Sequence, residues 1–295
     1  MILTAGPARS AVPVLDHVFP AAVGQGTTNT VTLVGKFDPW PPQIWHDGEG
    51  LRWEATTNTG VFTVTVAPDA APGVRLVRAF QPEGISAPRF LVVTADAPTP
   101  EVEPNGDPGS AQQLSLPRVS VNGRLEKNGD VDGYAFELTP GQTLVAWLEA
   151  YQLLSPLDPV LRLVDPNGVP VAWNHDEPRS LDPRLTWEVR SAGTHVLQVF
   201  GFAHPADSDI RFSGNARGVY RLHVTTEPVA RHLWPLGLER APSVERDVHG
   251  WNLTAHTRRL TLNGAISGTN GWAWVVPPGT VTPVEVPLGE GRELV

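Results

Sequence analysis

The sequence predicts an all-β chain of tandem β-sandwiches, on three observations. Glycine (28) and proline (30) together make about a fifth of the 295 residues, well above ordinary usage, and both break helices and mark turns. Short runs of β-branched and aromatic residues alternate with polar ones at period two and are closed off by Asp, Asn, Gly and Pro. A segment near the start returns 215 residues later without a gap. Pro13-Val-Leu-Asp-His-Val-Phe-Pro20 matches Pro228-Val-Ala-Arg-His-Leu-Trp-Pro235, and the same offset carries Leu33 onto Val248 and Gly35 onto Gly250. A repeat whose period spans a whole intervening unit gives the order A–B–A′ and not a solenoid.

Unit A is expected over residues 11–94. Val31–Val34, Val61–Val66, Val74–Phe80 and Phe90–Val93 read as its strands. In Gly60–Val66, alternation places Phe62, Val64 and Val66 on one face and Val61, Thr63 and Thr65 on the other. Pro68-Asp-Ala-Ala-Pro-Gly73 is a turn, because Pro presets φ and Gly accepts positive φ. Residues 95–100, with two prolines in six, form an extended, semi-rigid linker. Unit B is expected over 101–226, with about eight strands in a jelly-roll-like sandwich. Tyr134, Phe136 and Leu138 point inward, as do Leu144, Ala146 and Leu148, then Leu185, Trp187 and Val189, then Tyr220, Leu222 and Val224; Arg221 and His223 face out. Only Asp107–Leu114 reads as a short helical turn. Unit A′, 228–295, is shorter than A, and truncation of its last one or two strands is the expectation. The repeat further predicts that Phe19 and Trp234 fill equivalent core sites and that Gly35 and Gly250 sit in equivalent turns.

The motifs of unit B run Glu101-Val-Glu-Pro-Asn105, Asn128-Gly-Asp-Val-Asp132-Gly-Tyr-Ala-Phe136, Ser155-Pro-Leu-Asp-Pro-Val-Leu161, Asp165-Pro-Asn-Gly168, Val171-Ala-Trp-Asn-His-Asp176 and Ala192-Gly-Thr-His-Val-Leu-Gln-Val199. Their order resembles the bacterial pre-peptidase C-terminal domain, a β-sandwich appended to many secreted proteins. Val31-Thr-Leu-Val-Gly35, Ala71-Pro-Gly-Val74 and Ser86-Ala-Pro-Arg-Phe-Leu-Val92 look like the immunoglobulin-like family known as IPT or TIG. The resemblance implies a non-catalytic extracellular module of a secreted bacterial protein, working as a spacer, adhesion or anchoring unit. The alternative is a substrate-binding accessory of a secreted hydrolase. The expected partners are extracellular matrix, a cell surface or a polysaccharide, together with other domains of a longer parent.

Composition narrows the classes further. A formal charge of −9 argues against a phosphate-backbone partner and against docking on anionic lipid. Absence of cysteine removes disulfide and thiolate chemistry. No apolar run approaches the ~20 residues of a membrane-spanning helix. Met1–Arg9 lacks the basic and long apolar regions of a signal peptide, so an export signal is expected outside this chain.

Carboxylates are the principal candidates for chemistry. Glu101, Glu103 and Asn105 alternate along an extended segment, and Asp130 and Asp132 repeat that spacing before a strand. Hard cations take six to eight oxygens from such groups. The resemblance implies Ca²⁺ on Glu101, Glu103, Asn105, Asp130 and Asp132. Gly106 departs from the family pattern, which often has Asn or Asp there. The competing reading is a set of turn residues accepting from backbone amides. Asn174-His-Asp-Glu177 reads as a turn before it reads as a second oxygen-rich loop. His17 and His232, matched by the repeat, read as structural. Among ten tryptophans, Trp40 and Trp45 flank Pro41-Pro42 and are the candidates for an exposed ligand platform; Trp272 and Trp274 share a strand face. No nucleophile elbow, phosphate loop or zinc motif occurs, so no enzyme is expected.

Overall fold

The structure, a computed structural model, describes residues 11–206, 208, 210–239, 243–263 and 272–289. Among the described residues there are strands, turns and one short 3₁₀ turn (Tyr151–Leu153), and no α-helix.

The first nine strands are β1 (Val14–Phe19), β2 (Ala22–Gly24), β3 (Thr28–Lys36), β4 (Gln43–His46), β5 (Leu51–Ala55), β6 (Val61–Val66), β7 (Gly73–Gln81), β8 (Gly84–Ile85) and β9 (Arg89–Thr94). They form two sheets, ordered β1-β3-β6-β5 and β2-β9-β7-β4, with β8 on β7. Between the sheets lies one core that includes Leu15, Val31, Phe62, Val64, Val77 and Leu91. The alternation read in Val61–Val66 holds, with Phe62, Val64 and Val66 turned inward.

The middle strands are β10 (Thr99–Pro100), β11 (Gln112–Gln113), β12 (Arg118–Arg124), β13 (Asp132–Leu138), β14 (Thr143–Glu149), β15 (Leu157–Val164), β16 (Pro170–Asn174), β17 (Arg184–Glu188), β18 (Gly193–Ala203) and β19 (Val219–Thr225). They make two five-stranded sheets, β10-β12-β19-β14-β17 and β11-β13-β18-β15-β16. The core between them gathers Tyr134, Phe136, Leu144, Leu148, Leu185, Tyr220 and Leu222. Two expectations fail here. Asp107–Ser110 is a turn that leads into β11, which pairs in parallel with β13, and not a helical turn. Arg221 does not face solvent: it is buried, and its guanidinium donates to Glu149 at 2.6 Å.

The last strands are β20 (Val229–Trp234), β21 (Leu238–Glu239), β22 (Ser243–Trp251), β23 (Arg259–Asn263), β24 (Trp272–Val275) and β25 (Val284–Gly289), in sheets β20-β22-β23 and β21-β25-β24. The 215-residue offset holds pair by pair. Val14↔Lys36, Leu15↔Gly35, His17↔Val34, Val18↔Leu33 and Phe19↔Thr32 become Val229↔Trp251, Ala230↔Gly250, His232↔His249, Leu233↔Val248 and Trp234↔Asp247, each ladder shifting register at the same place. Gly35 and Gly250 lie within strands β3 and β22 and not in turns, and the glycine recurs for a steric reason. A Cβ on Gly35 would meet the Val14 carbonyl oxygen at 2.0 Å, and one on Gly250 would meet that of Val229 at 1.9 Å.

β25 closes on β21 in parallel, as β9 closes on β2. Only Asn252–Arg258 join β22 to β23, so among the described residues no counterparts of β4 and β5 stand between these strands. Phe19 and Trp234 are not core residues. Phe19 packs at the junction with the middle sandwich, and Trp234 is 45% exposed.

That junction is specific. The Asn122 side chain on β12 accepts from the Ala22 N–H (3.1 Å) and donates to the Ala22 carbonyl (3.0 Å), as a neighbouring strand would. Around it Ala21, Ala22 and Val92 pack on Leu153 and Val219, and the Arg124 guanidinium lies over the Phe19 ring at 4.6 Å. On the far side Trp251 sits between Arg184 (5.6 Å) and Arg231 (5.5 Å), and Asn252 donates to the Thr143 carbonyl (2.9 Å).

His17 gives a test of the first sandwich. Burial and the nearby Arg89 lower its pKa from 6.5 to about 4. The unfolded chain therefore binds a proton between pH 6.5 and 4 that the folded chain refuses. Stability rises with pH across that window and is lost on acidification, by about 3 kcal/mol. Asp132 titrates across the same window with the opposite sign, so the test is a difference: between pH 7 and pH 4.5 the native chain should lose about 3 kcal/mol more stability than His17→Phe.

Candidate metal centre

The linker brings its carboxylates onto the middle sandwich as a strand. β10 pairs in parallel with β12, and the Glu101 N–H continues the ladder to the Asn122 carbonyl at 3.0 Å. The chain then turns so that the Gly133 N–H donates to the Asn105 carbonyl at 3.2 Å, laying Asn105 against the start of β13. Glycines permit this approach. A Cβ on Gly106 would stand 2.8 Å from the Val131 carbonyl oxygen, and one on Gly133 would stand 2.8 Å from that of Asn105. The departure at position 106 is thus what the close packing of this turn requires.

Of the five sequence-predicted ligands, three converge: oxygens of Glu101, Glu103 and Asp132 all lie within 4.8 Å of one another. Asn105 joins them through its Nδ2, which donates to Glu101 Oε1 at 3.4 Å. Asp130 stands apart, because its Oδ2 accepts the Glu126 N–H at 2.6 Å.

Burial across the set is uneven: Glu103 is exposed and Glu101 partly so, whereas the others are buried. Asp132 and Asn105 have no exposed surface, and Asp130 is 8% exposed. Burial, then the charge of Glu101, pushes Asp132 up to about 10. The same two causes raise Glu103.

Two residues of the site were invisible to motif reading. Tyr134 and Tyr220 are completely buried, and their hydroxyls lie 2.6 Å apart. Both contact Glu101 Oε1 at 3.1 Å, and Tyr220 also donates to Asp132 Oδ2 at 2.5 Å. Burial raises both phenols far above the ordinary range, so they are donors and not anions. Alternation assigned both rings to the core correctly; the signal missed is that a buried Tyr hydroxyl needs a polar partner. Tyr220 reaches the site because β12 has Gly123 opposite it, where a Cβ would meet the ring at 2.2 Å.

The oxygen inventory fits a hard cation. Glu101 Oε2 accepts the Arg124 N–H at 2.8 Å. Asp132 Oδ1 and Asn105 Oδ1, both on fully buried residues, have no hydrogen-bond partner. Orphaned buried acceptors are rare and costly. Two of them beside two further carboxylates form an oxygen-rich cradle of the kind that Ca²⁺ takes.

The proposed aromatic platform fares differently. Trp40 is half-buried against the first core, its ring edge-on to Phe62 (5.1 Å) and its indole N–H donating to the Thr56 carbonyl (3.2 Å). It is a packing residue, because Pro39 and Pro41 turn it inward. Trp45 is 45% exposed, and Trp272 and Trp274 are 41% and 67% exposed on one face of β24. The second oxygen-rich segment forms a turn closed by the Glu177–Ser180 bridge, with His175 and Asp176 beside Asp158.

No family model matches the chain, and no curated protein matches it. Several solved β-structures are similar to parts of it. One is PliG of Aeromonas hydrophila, a periplasmic inhibitor of g-type lysozyme, at 12% identity over 39% of this chain and 94% of that one, with TM-score 0.29. Another is the pre-peptidase C-terminal domain of a Bacillus anthracis collagenase, at 11% identity over 42% and 98%, with TM-score 0.27. A third is Bacteroides ovatus SGBP-B in complex with a mixed-linkage heptasaccharide, at 8% identity over 69% and 72%, with TM-score 0.23. Likeness at this level carries nothing about ligand or activity.

Without a cation, the folded protein keeps a proton on Asp132 that the unfolded chain releases near ~3.9. The folded state then binds more protons between about pH 4 and its raised value of about 10, so stability falls as pH rises through that window. In chelator, the melting temperature should drop steadily from pH 7 to 9, where His17 no longer contributes, and Asp132→Asn should flatten the slope. Separately, Gly123→Ala should cost ~1–3 kcal/mol by overpacking Tyr220, read by denaturant melts.

Proposed function

We propose that the chain is a non-catalytic extracellular module of a secreted bacterial protein, a spacer, adhesion or anchoring unit whose first joint is stiffened by Ca²⁺. Glu101, Glu103, Asn105 and Asp132 would hold the ion. Bound there, it supplies positive charge to carboxylates that burial otherwise forces to keep a proton. The observation that carries this reading is the pair of orphaned buried oxygens, Asn105 Oδ1 and Asp132 Oδ1, beside Glu101 and Glu103.

The consequence for the joint follows from β12. Glu101 holds the N–H of Arg124, whose guanidinium covers Phe19. The Glu101 N–H is held by Asn122, whose amide grips Ala22. Fixing Glu101 therefore fixes the residues that seat the first sandwich.

Support for a non-catalytic reading is the burial of the strongly shifted carboxyl: Asp132 has no exposed surface, so a substrate has no path to it. The alternative, a substrate-binding accessory for polysaccharide or fibrous protein, draws on the exposed faces of Trp272 and Trp274.

Millimolar Ca²⁺ should raise the melting temperature over that in chelator. Ligand in hundredfold excess over Kd contributes about 2.7 kcal/mol. Tb³⁺ should luminesce through Tyr134 and Tyr220, and Asp132→Asn should abolish both effects. Identical transitions with and without Ca²⁺, together with silent Tb³⁺, would sink the cation reading. Turnover of casein or polysaccharide that disappears in Asp132→Asn would sink the non-catalytic one.

A further inference from the structure

A second constellation lies where the first and middle sandwiches meet. Phe90 of β9 faces the segment after β14, and between them opens a cleft of about 770 Å³, also lined by Tyr151, Leu154, Arg179 and His204. The volume is in the range of small-ligand sites, which favour domain junctions.

The wall of this cleft is held in a strained shape. Leu154 has φ 63°, the left-handed region that a branched, non-glycine residue seldom adopts. It is nevertheless 51% exposed, and Tyr151 beside it is 42% exposed, so neither is positioned by burial of its own side chain. The turn that carries them is fixed from behind. The Asp182 carboxylate, on a residue only 3% exposed, accepts the N–H groups of Ala150 (2.7 Å), Tyr151 (2.8 Å) and Gln152 (3.0 Å). The Leu154 N–H then bonds the Tyr151 carbonyl at 2.9 Å. Strain that its surroundings over-determine marks functional segments more often than passive ones.

The chemistry of the lining selects a ligand class. Tyr151, Leu154 and Phe90 offer apolar faces, and the Tyr151 ring stands edge-on to His204 at 5.2 Å. The chain has a formal charge of −9, yet no carboxylate lines this cleft among the described residues. Arg179, at the tip of the Glu177–Ser180 turn, borders it and forms no ion pair among the described residues. Strand addition by a peptide needs a row of free backbone groups. Here the turn's N–H groups are already taken by Asp182. An apolar-faced ring with a hydroxylated, anionic edge fits better, since Arg is suited to planar recognition of a carboxylate.

We propose that this cleft binds an acidic saccharide, a uronate-containing polymer whose sugar face lies on Tyr151 and Leu154 and whose carboxylate meets Arg179. The inference does not draw on the cation, and its test runs in chelator. The full chain is run in native gels cast with polygalacturonate, with a neutral β-glucan, or with gelatin. Retardation by polygalacturonate is expected, weakened at least about tenfold by Tyr151→Ala and by Arg179→Gln. Leu154→Gly separates binding from folding: relief of the positive φ should raise the melting temperature while binding falls. Three results overturn the proposal: no retardation by polygalacturonate, retardation that Tyr151→Ala or Arg179→Gln leaves intact, or stronger retardation by the neutral glucan or gelatin.

Discussion

The middle of the molecule is organised by one constraint: two carboxylates share a buried site. Oxygens of Glu101 and Asp132 lie within 4.8 Å, and Asp132 has no contact with solvent. At an effective dielectric near ~20, two full charges at that separation repel by about 3 kcal/mol, before any desolvation of Asp132 is counted. The tyrosine hydroxyls cannot cancel this. Two phenols have two protons to give, and four contacts compete for them: each phenol to Glu101, Tyr220 to Asp132, and the pair to one another. One positive charge must be added, as a proton or as a metal ion. Which of the two is present sets whether Asp132 is a donor or a ligand.

Much of the neighbouring backbone is shaped by that requirement. The linker must become a strand so that Glu101 arrives beside β12, and the next turn must be narrow enough to place Asn105 under β13. Three glycines make room. Gly106 and Gly133 let the turn and the strand approach, and Gly123 admits the Tyr220 ring. Each is unexceptional in sequence and is explained only by what would occupy the space of its Cβ.

The sequence was most legible where pattern and geometry coincide. Period-two alternation placed Phe62, Val64, Tyr134, Phe136, Leu222 and Val224 inward, and all are core residues. The repeat encoded a register, because a strand pair has only one alignment that keeps Gly35, or Gly250, under the carbonyl of its partner. What the pattern could not convey is absence. A short A′ looks truncated at its end from its length, whereas among the described residues the difference from the first unit falls between β22 and β23. Trp40 failed for a related reason, since flanking prolines say that a residue is turned but not which way. The acidic cluster was half legible. Spacing and the resemblance named Glu101, Glu103 and Asp132, but Tyr134 and Tyr220 come from strands far apart in sequence and in opposite sheets, and only the packing of the β12–β19 sheet on the sheet of β13 brings them together. The Asp182 brace behind Tyr151 is of the same kind, joining segments some thirty residues apart.

The carboxylate site and the first joint are one structure seen from two sides of β12. Asn122 uses its carbonyl for Glu101 and its side chain for Ala22, and Arg124 uses its N–H for Glu101 and its guanidinium for Phe19. Neither residue can shift to follow the first sandwich without disturbing the acid cluster. A joint built only on the small apolar patch of Ala21, Ala22, Val92, Leu153 and Val219 would bury too little to hold an orientation by itself. Anchoring it through β12 makes its stiffness depend on how firmly Glu101 is held. That couples the orientation of the two sandwiches to the occupant of a site whose inner wall, Asn105 and Asp132, is fully buried. On the proposed reading, this places control of the joint's stiffness in the ionic composition of the surroundings.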